Sequence, residues 1–231
     1  MFMLYIISTP IGNLKDITLR ALEALQSVDL ILCEDTRVTS KLLSHYQISK
    51  SLLSYHQHSS QKRYQEIKSH LLAGKKIALV CDAGTPGIAD PVGELVQFLV
   101  QENIPDLKII PIPGASALTS ALSISGFYAD KFLFLGFPPA KNKRRKFFQR
   151  AIREPETVVI YESPHRLIKT LKNIQEVVGE ENIFRKIFLA KELTKQFEKV
   201  YREDSINDIL RQIEKEKIRG EWIIILGPSI N

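Results

Sequence analysis

Short apolar runs alternate with longer amphipathic stretches along this chain. Residues 4–8 lead into 19–26, 30–33 into 37–46, 77–81 into 92–101, and 109–112 into 115–124. Compact apolar runs bounded by turn residues predict buried strands, and apolar positions three and four apart predict helices. Their regular alternation predicts parallel βαβ units. The pattern resumes with 132–137, a basic stretch, 157–161, 167–178, 186–190, 206–218 and 222–226. Residues 187–190 and 199–202 are too close for a helical crossover, so strands there are expected to be partly antiparallel. The expected fold class is α/β in two lobes, residues 1–115 with a mostly parallel sheet and 116–231 with a mixed one. No Pro/Gly/Ser linker joins them, and the boundary is expected between Gly114 and Gly126.

Composition narrows the class further. At 231 residues and 44% hydrophobic, the chain can bury one large core or two smaller ones. Its longest apolar runs, such as 4–7 and 222–226, fall far short of the roughly 20 residues of a membrane-spanning helix. No basic-then-apolar leader opens the chain, so a cytoplasmic location without membrane association is expected. Cys33 and Cys81 lie in or beside apolar runs without zinc-site spacing, which predicts buried, reduced thiols. The net charge of +6 is uneven: residues 1–115 hold 11 basic and 11 acidic side chains, whereas 116–231 hold 21 and 15. Lys141, Lys143, Arg144, Arg145, Lys146, Arg150 and Arg153 fall in one acid-free segment interleaved with Phe147 and Phe148. That segment is either a helix with a solvated basic face over two core phenylalanines or a surface that contacts nucleic-acid phosphates.

Candidate chemistry collects at the predicted strand ends, where an open α/β sheet binds ligands. The run 77–80 delivers Asp82-Ala83-Gly84-Thr85-Pro86-Gly87-Ile88-Ala89-Asp90-Pro91, whose glycines and prolines fix an unusual path and leave peptide groups uncovered. The first strand runs into Ser8-Thr9-Pro10-Ile11-Gly12, with neither a dinucleotide-binding glycine fingerprint nor a Walker motif. Glu34-Asp35-Thr36-Arg37 ends the second strand. Asp35 there either caps the next helix or serves a ligand, and Arg37 either pairs with Glu34 or faces a substrate. Tyr55-His56-Gln57-His58 reads as a strand with both histidines on one side, although no third metal ligand of matching spacing accompanies them. Pro113-Gly114-Ala115-Ser116-Ala117 opens a helix on small residues that suit an anionic ligand. Tyr161-Glu162-Ser163-Pro164-His165-Arg166 and Lys191-Glu192-Leu193-Thr194-Lys195 each look like a helix start with a capping residue.

Taken together, Ser8 to Leu14, Glu34 to Arg37, Asp82 to Pro91, Pro111 to Ala117, Gly136-Phe137-Pro138-Pro139, Tyr161 to Arg166 and Glu192 to Lys195 resemble the tetrapyrrole methylase superfamily. Within it, they resemble the ribosomal RNA small-subunit methyltransferase I family. The resemblance implies two α/β domains with S-adenosyl-L-methionine in the cleft between them, and a homodimer. It also implies 2′-O-methylation of a cytidine ribose in the decoding region of 16S rRNA, with the small ribosomal subunit as partner. Cofactor contact is assigned by the resemblance to Pro10, Asp82, Gly84, Thr85, Ile88, Ala89, Ser116, Ala117, Tyr161 and Leu193. A ribose hydroxyl needs help losing its proton; Asp82, Glu34, His165 and Glu192 are unranked candidates for that role. Arg37, Lys141, Arg144 and Arg145 are candidates for rRNA phosphate contacts, and no metal is expected. Val92 stands where the family usually has glycine after Asp-Pro, and Ser59-Ser60 where it commonly has Asn-Glu. Many relatives carry a further C-terminal domain, so substrate affinity here is expected to rest on the dimer surface and the basic stretch. The alternatives are a tetrapyrrole or corrinoid methyltransferase and a catalytically silent RNA-binding assembly protein.

Overall fold

A computed structural model describes residues 1–229. The chain divides into two compact units, Met1–Ser116 and a second beginning at Ala117. In the first, β1 (Phe2–Ile7), β2 (Leu30–Cys33), β3 (Ser51–Ser54), β4 (Ile77–Leu79) and β5 (Leu107–Ile112) form a five-stranded sheet in the order β3-β2-β4-β1-β5. Every pairing in it is parallel. The helices α1 (Leu19–Ser27), α2 (Thr36–His45), α3 (Gln61–Leu72) and α4 (Val92–Gln101) cover both faces.

Strand alternation explains why these runs are apolar throughout. Leu30, Leu32, Ile77 and Leu79 point into a core shared with Ile67 and Leu71 of α3 and Leu95 and Leu99 of α4. The intervening Ile31, Cys33, Ala78 and Val80 point the other way, onto Ala21 and Leu25 of α1 and Leu43 of α2. Connections from β1 run toward β2 and β3, whereas those from β3 and β4 run back to β5. The direction of winding therefore reverses at the adjoining strands β4 and β1, where the fold leaves its crevice.

The second unit contains α5 (Ala117–Ser125), β6 (Phe132–Phe134), α6 (Arg144–Arg153), β7 (Thr157–Glu162), α7 (Leu167–Glu181), β8 (Ile187–Lys191), β9 (Lys199–Glu203), α8 (Ile206–Ile213) and β10 (Trp222–Leu226). Its sheet runs β6-β7-β10-β8-β9. Only the β6–β7 pairing is parallel. Phe148, Leu171, Ile174, Ile209, Trp222 and Ile224 build its core. Arg185, 3% exposed, clamps this unit. Its guanidinium donates to the carbonyls of Ala151, Glu154 and Gly227 at 2.6–2.8 Å, tying the end of α6 to the end of β10. Burial, partly offset by Glu154, pulls its pKa down to about 10.

Three expectations are corrected. The strand at 51–54 and the helix at 61–72 are additional elements, and β3 stops at Ser54, so His56 and His58 lie in a turn rather than along one strand face. The His56 amide donates to Ser59 Oγ and the His58 amide to His56 Nδ1, which closes that turn. Residues 192–195 do not start a helix: Glu192 and Thr194 have φ of 51° and 65°, and the chain turns into β9. The helix beginning at 206 ends at Ile213 rather than 218.

Candidate functional site

At the carboxyl edge of the first sheet, the segments leaving β1, β4 and β5 are stitched together mainly by backbone. Thr9 and Gly84 exchange both backbone hydrogen bonds, at 2.9 and 3.1 Å, and Thr9 Oγ1 donates to the Cys81 carbonyl. Ser8 Oγ donates to Thr85 Oγ1, which in turn donates to the Ala115 carbonyl, each at 3.0 Å. Gly84, at φ 87°, packs so closely that a Cβ would meet Ile11 Cγ2 at 3.3 Å. A Cβ on Gly114 would come within 2.9 Å of Ser8 Cβ. Of the candidate cofactor contacts, Pro10, Asp82, Gly84, Thr85, Ile88, Ala89 and Ser116 belong to this assembly, and Ala117 follows as the first residue of α5.

The loop's far end is held just as firmly. Both Asp90 carboxylate oxygens accept from the Gly87 amide at 2.8 Å, and one also accepts from the Val92 amide. This closes a turn in which Gly87 has φ 94° and Ala89 φ 65°. The buried Tyr55 hydroxyl donates to the Pro91 carbonyl at 3.1 Å. Val92 is the buried first residue of α4, where a side chain packs into the core and no glycine is needed. A Cβ on Gly87 would meet nothing within 4 Å, and Ile88 is partly exposed beside it.

Four carboxylates stand near this edge, in unlike states. Burial, reinforced by the charges of Asp82 and Asp90, pushes the Glu34 carboxyl above its usual range. Asp82 Oδ1 accepts from the Asp35 amide at 3.0 Å, joining the ends of β4 and β2. Asp35 caps α2 by accepting from the Arg37 amide, and its side chain pairs with the Arg37 guanidinium, which lowers its own pKa to about 2. Arg37 thus pairs with Asp35 rather than Glu34. Its side chain remains 85% exposed.

In the second unit, β7 and β8 flank β10 so that Glu162 and Lys191 both pair in register with Trp222. The segments bearing Tyr161 to Arg166 and Glu192 to Lys195 therefore emerge at one sheet edge. The Tyr161 ring meets Phe134 and Phe137 edge-on, at 4.9 and 5.6 Å. Glu162 is 2% exposed; its carboxylate accepts from the Ser163 amide at 2.7 Å and pairs with Arg166 at 2.9 Å. Arg166 precedes α7 without a side-chain cap. His165 is exposed, Leu193 buried. Burial opposes the Glu192 charge, but the Glu221 amide and Lys195 outweigh it and hold the carboxyl below its usual range.

The basic stretch separates into distinct roles. Arg144 is 7% exposed, and its guanidinium donates to Pro139 O, Thr170 Oγ1 and Asn173 Oδ1 while lying 5.2 Å over Phe148. Those bonds occupy its guanidinium with protein groups of the interior. Its four-residue spacing from Phe148 was the available signal, since both fall on one helix face. Arg145 and Arg153 are exposed but paired with Glu180 and Glu181 of α7. Lys141 and Arg145 border a pocket of about 280 Å³ completed by Arg144, Lys169, Asn173, Glu176, Val177 and Glu180. Lys169 carries no motif signal of its own, although 169, 173, 176 and 180 repeat at helical spacing along α7. Among the described residues no group of three His, Cys, Asp or Glu side chains could hold a metal ion, and no helix is long and apolar enough to cross a membrane.

Comparison with known proteins places this architecture. The tetrapyrrole (corrin/porphyrin) methylases match residues 3–207. Ribosomal RNA small subunit methyltransferase I of Synechocystis sp. is 45% identical over 99% of this chain and 80% of its own length. Its counterpart from Thermotoga maritima is 44% identical over 97% of both, and that of Escherichia coli O157:H7 is 43% identical over 96% of this chain and 77% of its own. Among solved structures, a cobalt precorrin-4 methyltransferase of cobalamin biosynthesis superposes with a TM-score of 0.67 at 19% identity, covering 97% of this chain and 94% of that one. Uroporphyrin-III C-methyltransferase of Thermus thermophilus, complexed with S-adenosyl homocysteine, superposes with 0.65 at 18%, covering 97% and 96%. With full-length identity above 40% to the one group and only the fold shared with the other, the chain belongs to the tetrapyrrole methylase family and, within it, to the ribosomal RNA small subunit methyltransferase I family.

Proposed function

We propose that this protein is an S-adenosyl-L-methionine-dependent methyltransferase that modifies 16S rRNA of the small ribosomal subunit, transferring a methyl group to a cytidine ribose 2′-oxygen in the decoding region. The observation that carries the reading is its 44% identity with the Thermotoga maritima relative over 97% of both chains.

The residues at the first sheet's carboxyl edge fit the cofactor. The open space over Gly87, the exposed Ile88 and the left-handed backbone at Gly87 and Ala89 suit a nucleoside with small polar groups. Pro10, Asp82, Gly84, Thr85, Ile88, Ala89, Ser116 and Ala117 would hold it. Bound there, S-adenosyl-L-methionine supplies an electrophilic methyl group. The protein's task is then to orient the acceptor oxygen and remove its proton. Glu34, with its raised pKa, accepts a proton more readily than Glu192, whose carboxylate is engaged by Lys195 and Glu221. Asp82 serves by joining β2 to β4, and His165 is the exposed alternative base. Arg37, Lys141 and Arg145 offer exposed charge for rRNA phosphates. A homodimer in the cytoplasm completes the reading.

The test is transfer of labelled methyl from S-adenosyl-L-methionine into small subunits lacking the modification, followed by mapping of the labelled nucleotide. Label at a ribose 2′-oxygen of a decoding-region cytidine is expected. Label on a tetrapyrrole and none on rRNA would overturn the proposal.

A further inference from the structure

Phe137 is half exposed, at 51%, although the turn that carries it is held from several sides. Gly136 has φ 65°, and Pro138 and Pro139 fix the backbone that follows. The Gly136 carbonyl accepts from the Tyr161 amide at 3.0 Å. Arg166 donates to the Pro138 carbonyl at 3.1 Å, and Arg144 to the Pro139 carbonyl at 2.8 Å. An edge-to-face contact at 5.6 Å and 64° sets the Phe137 ring against Tyr161, which is itself braced by Phe134. Two buried or half-buried guanidiniums and an aromatic pair thus hold an apolar ring toward solvent.

We propose that Phe137 is a stacking platform for an unpaired nucleobase of the RNA substrate. The inference rests on the reading that RNA is that substrate. A base needs a rigid aromatic surface with cations within backbone reach, and exposed Lys141 and Lys143 follow the turn directly. Holding the ring in advance lowers the ordering cost of binding. A protein partner would want a broader apolar face than one ring flanked by lysines offers.

The test uses a short single-stranded RNA carrying one 2-aminopurine, with the wild-type protein and Phe137→Ala, Phe137→Leu and Phe137→Trp. Wild type and Phe137→Trp are expected to quench the fluorescence; Ala and Leu lose the quenching and weaken binding roughly 5- to 100-fold. S-adenosyl-L-methionine affinity and thermal midpoint are expected to stay unchanged. No quenching by the wild type, retention of binding by Leu, or a change of sedimenting mass in Ala would each overturn stacking, the last by making Phe137 a contact between copies of the chain. Methyl transfer into small subunits is read in parallel. If the wild type transfers none while the quenching pattern holds, the proposed reaction fails and stacking stands. If it transfers and Phe137→Ala is indifferent in both assays, stacking fails and the reaction stands.

Discussion

The two sheet edges that bear candidate site residues are held together by different forces. In the first unit the strand ends are joined by backbone hydrogen bonds, three hydroxyls and glycines in close contact. In the second they are joined by buried charge: Glu162 with Arg166, and the guanidinium of Arg144. A wall of backbone presents alternating donors and acceptors and tolerates little added volume, which suits a small neutral or zwitterionic ligand. A wall braced by guanidiniums fixes the positions of outer side chains and keeps a positive field near the surface, which suits a polyanion. The difference teaches that substitutions should fail differently at the two edges, through bulk at the first and through lost charge at the second.

The largest expected break is Arg185→Met, at the far end of the second sheet from its candidate site, where the guanidinium ties the end of β10 to the end of α6. The methionine keeps much of the volume but strands the carbonyls of Ala151, Glu154 and Gly227 in a dry interior. A loss of at least about 3 kcal/mol is expected, because hydrogen bonds to a charged donor contribute roughly 1.5–3 kcal/mol each and unsatisfied buried acceptors cost more than absent ones. Denaturant unfolding followed by the Trp222 fluorescence of that unit measures it. A loss below 1 kcal/mol would show that buried charge is not what holds the second unit together.

Gly114→Ala is the matching break in the first unit. Its Cβ would sit 2.9 Å from Ser8 Cβ and 3.6 Å from the Ser8 carbonyl, so backbone on one side must move. Overpacking of this kind costs about 1–3 kcal/mol. Because Ser8 also positions Thr85, S-adenosyl-L-methionine affinity measured by calorimetry is expected to fall at least tenfold. Unchanged affinity would separate the Ser8–Thr85–Ala115 link from the cofactor site.

Much of the fold is legible in the sequence, and the omissions have physical causes. The elements at 30–33, 92–101 and 222–226 appear with those same bounds because each is apolar on all its buried faces. The edge strand at 51–54 escaped notice because serine stands at both its ends and it has one partner only. The helix at 61–72 escaped because its apolar stripe is just Tyr64, Ile67 and Leu71 within a polar stretch. The strand-end loops were visible through their glycines and prolines, but the fate of individual charges was not. Arg185 bonds to carbonyls some thirty to forty residues away in sequence, and no local pattern encodes that. Glu162 sits inside a motif that reads as a helix start with a capping residue, and nothing local marks its carboxylate as buried.

A smaller effect separates outer charge from inner. Lys141→Glu with Arg145→Glu removes two exposed cations beside the basic pocket while leaving Arg144 and its partners in place. RNA binding is expected to weaken, and the slope of log affinity against log salt to fall by up to about 2. Cofactor affinity stays as it was. Arg144→Met should do the reverse, lowering the unfolding midpoint through Pro139, Thr170 and Asn173 with a smaller change in salt slope. If Arg144→Met changes the slope as much as the double variant, the buried guanidinium reaches phosphate after all.

The smallest effect tests whether the first edge is free of charge in its energetics, as its backbone bonding suggests. Glu34 is the exception there, its pKa raised by burial and by Asp82 and Asp90. A carboxyl whose folded pKa exceeds its unfolded one is tolerated best below the unfolded value; stability is lost as pH rises through the folded value, where the buried group must ionise. Glu34→Gln is therefore expected to raise the unfolding midpoint at pH 7.5, by less than Gly114→Ala lowers it. The gain should shrink on acidification and vanish once the ordinary glutamate range has been passed. The same variant lowers methyl transfer if Glu34 takes the acceptor's proton, with cofactor affinity kept. A gain in stability joined to full activity would leave Glu34 as a strained neighbour of the loop and move the base to His165. A gain indifferent to pH would mean that neither burial nor the two aspartates act on Glu34, and that backbone alone governs this edge.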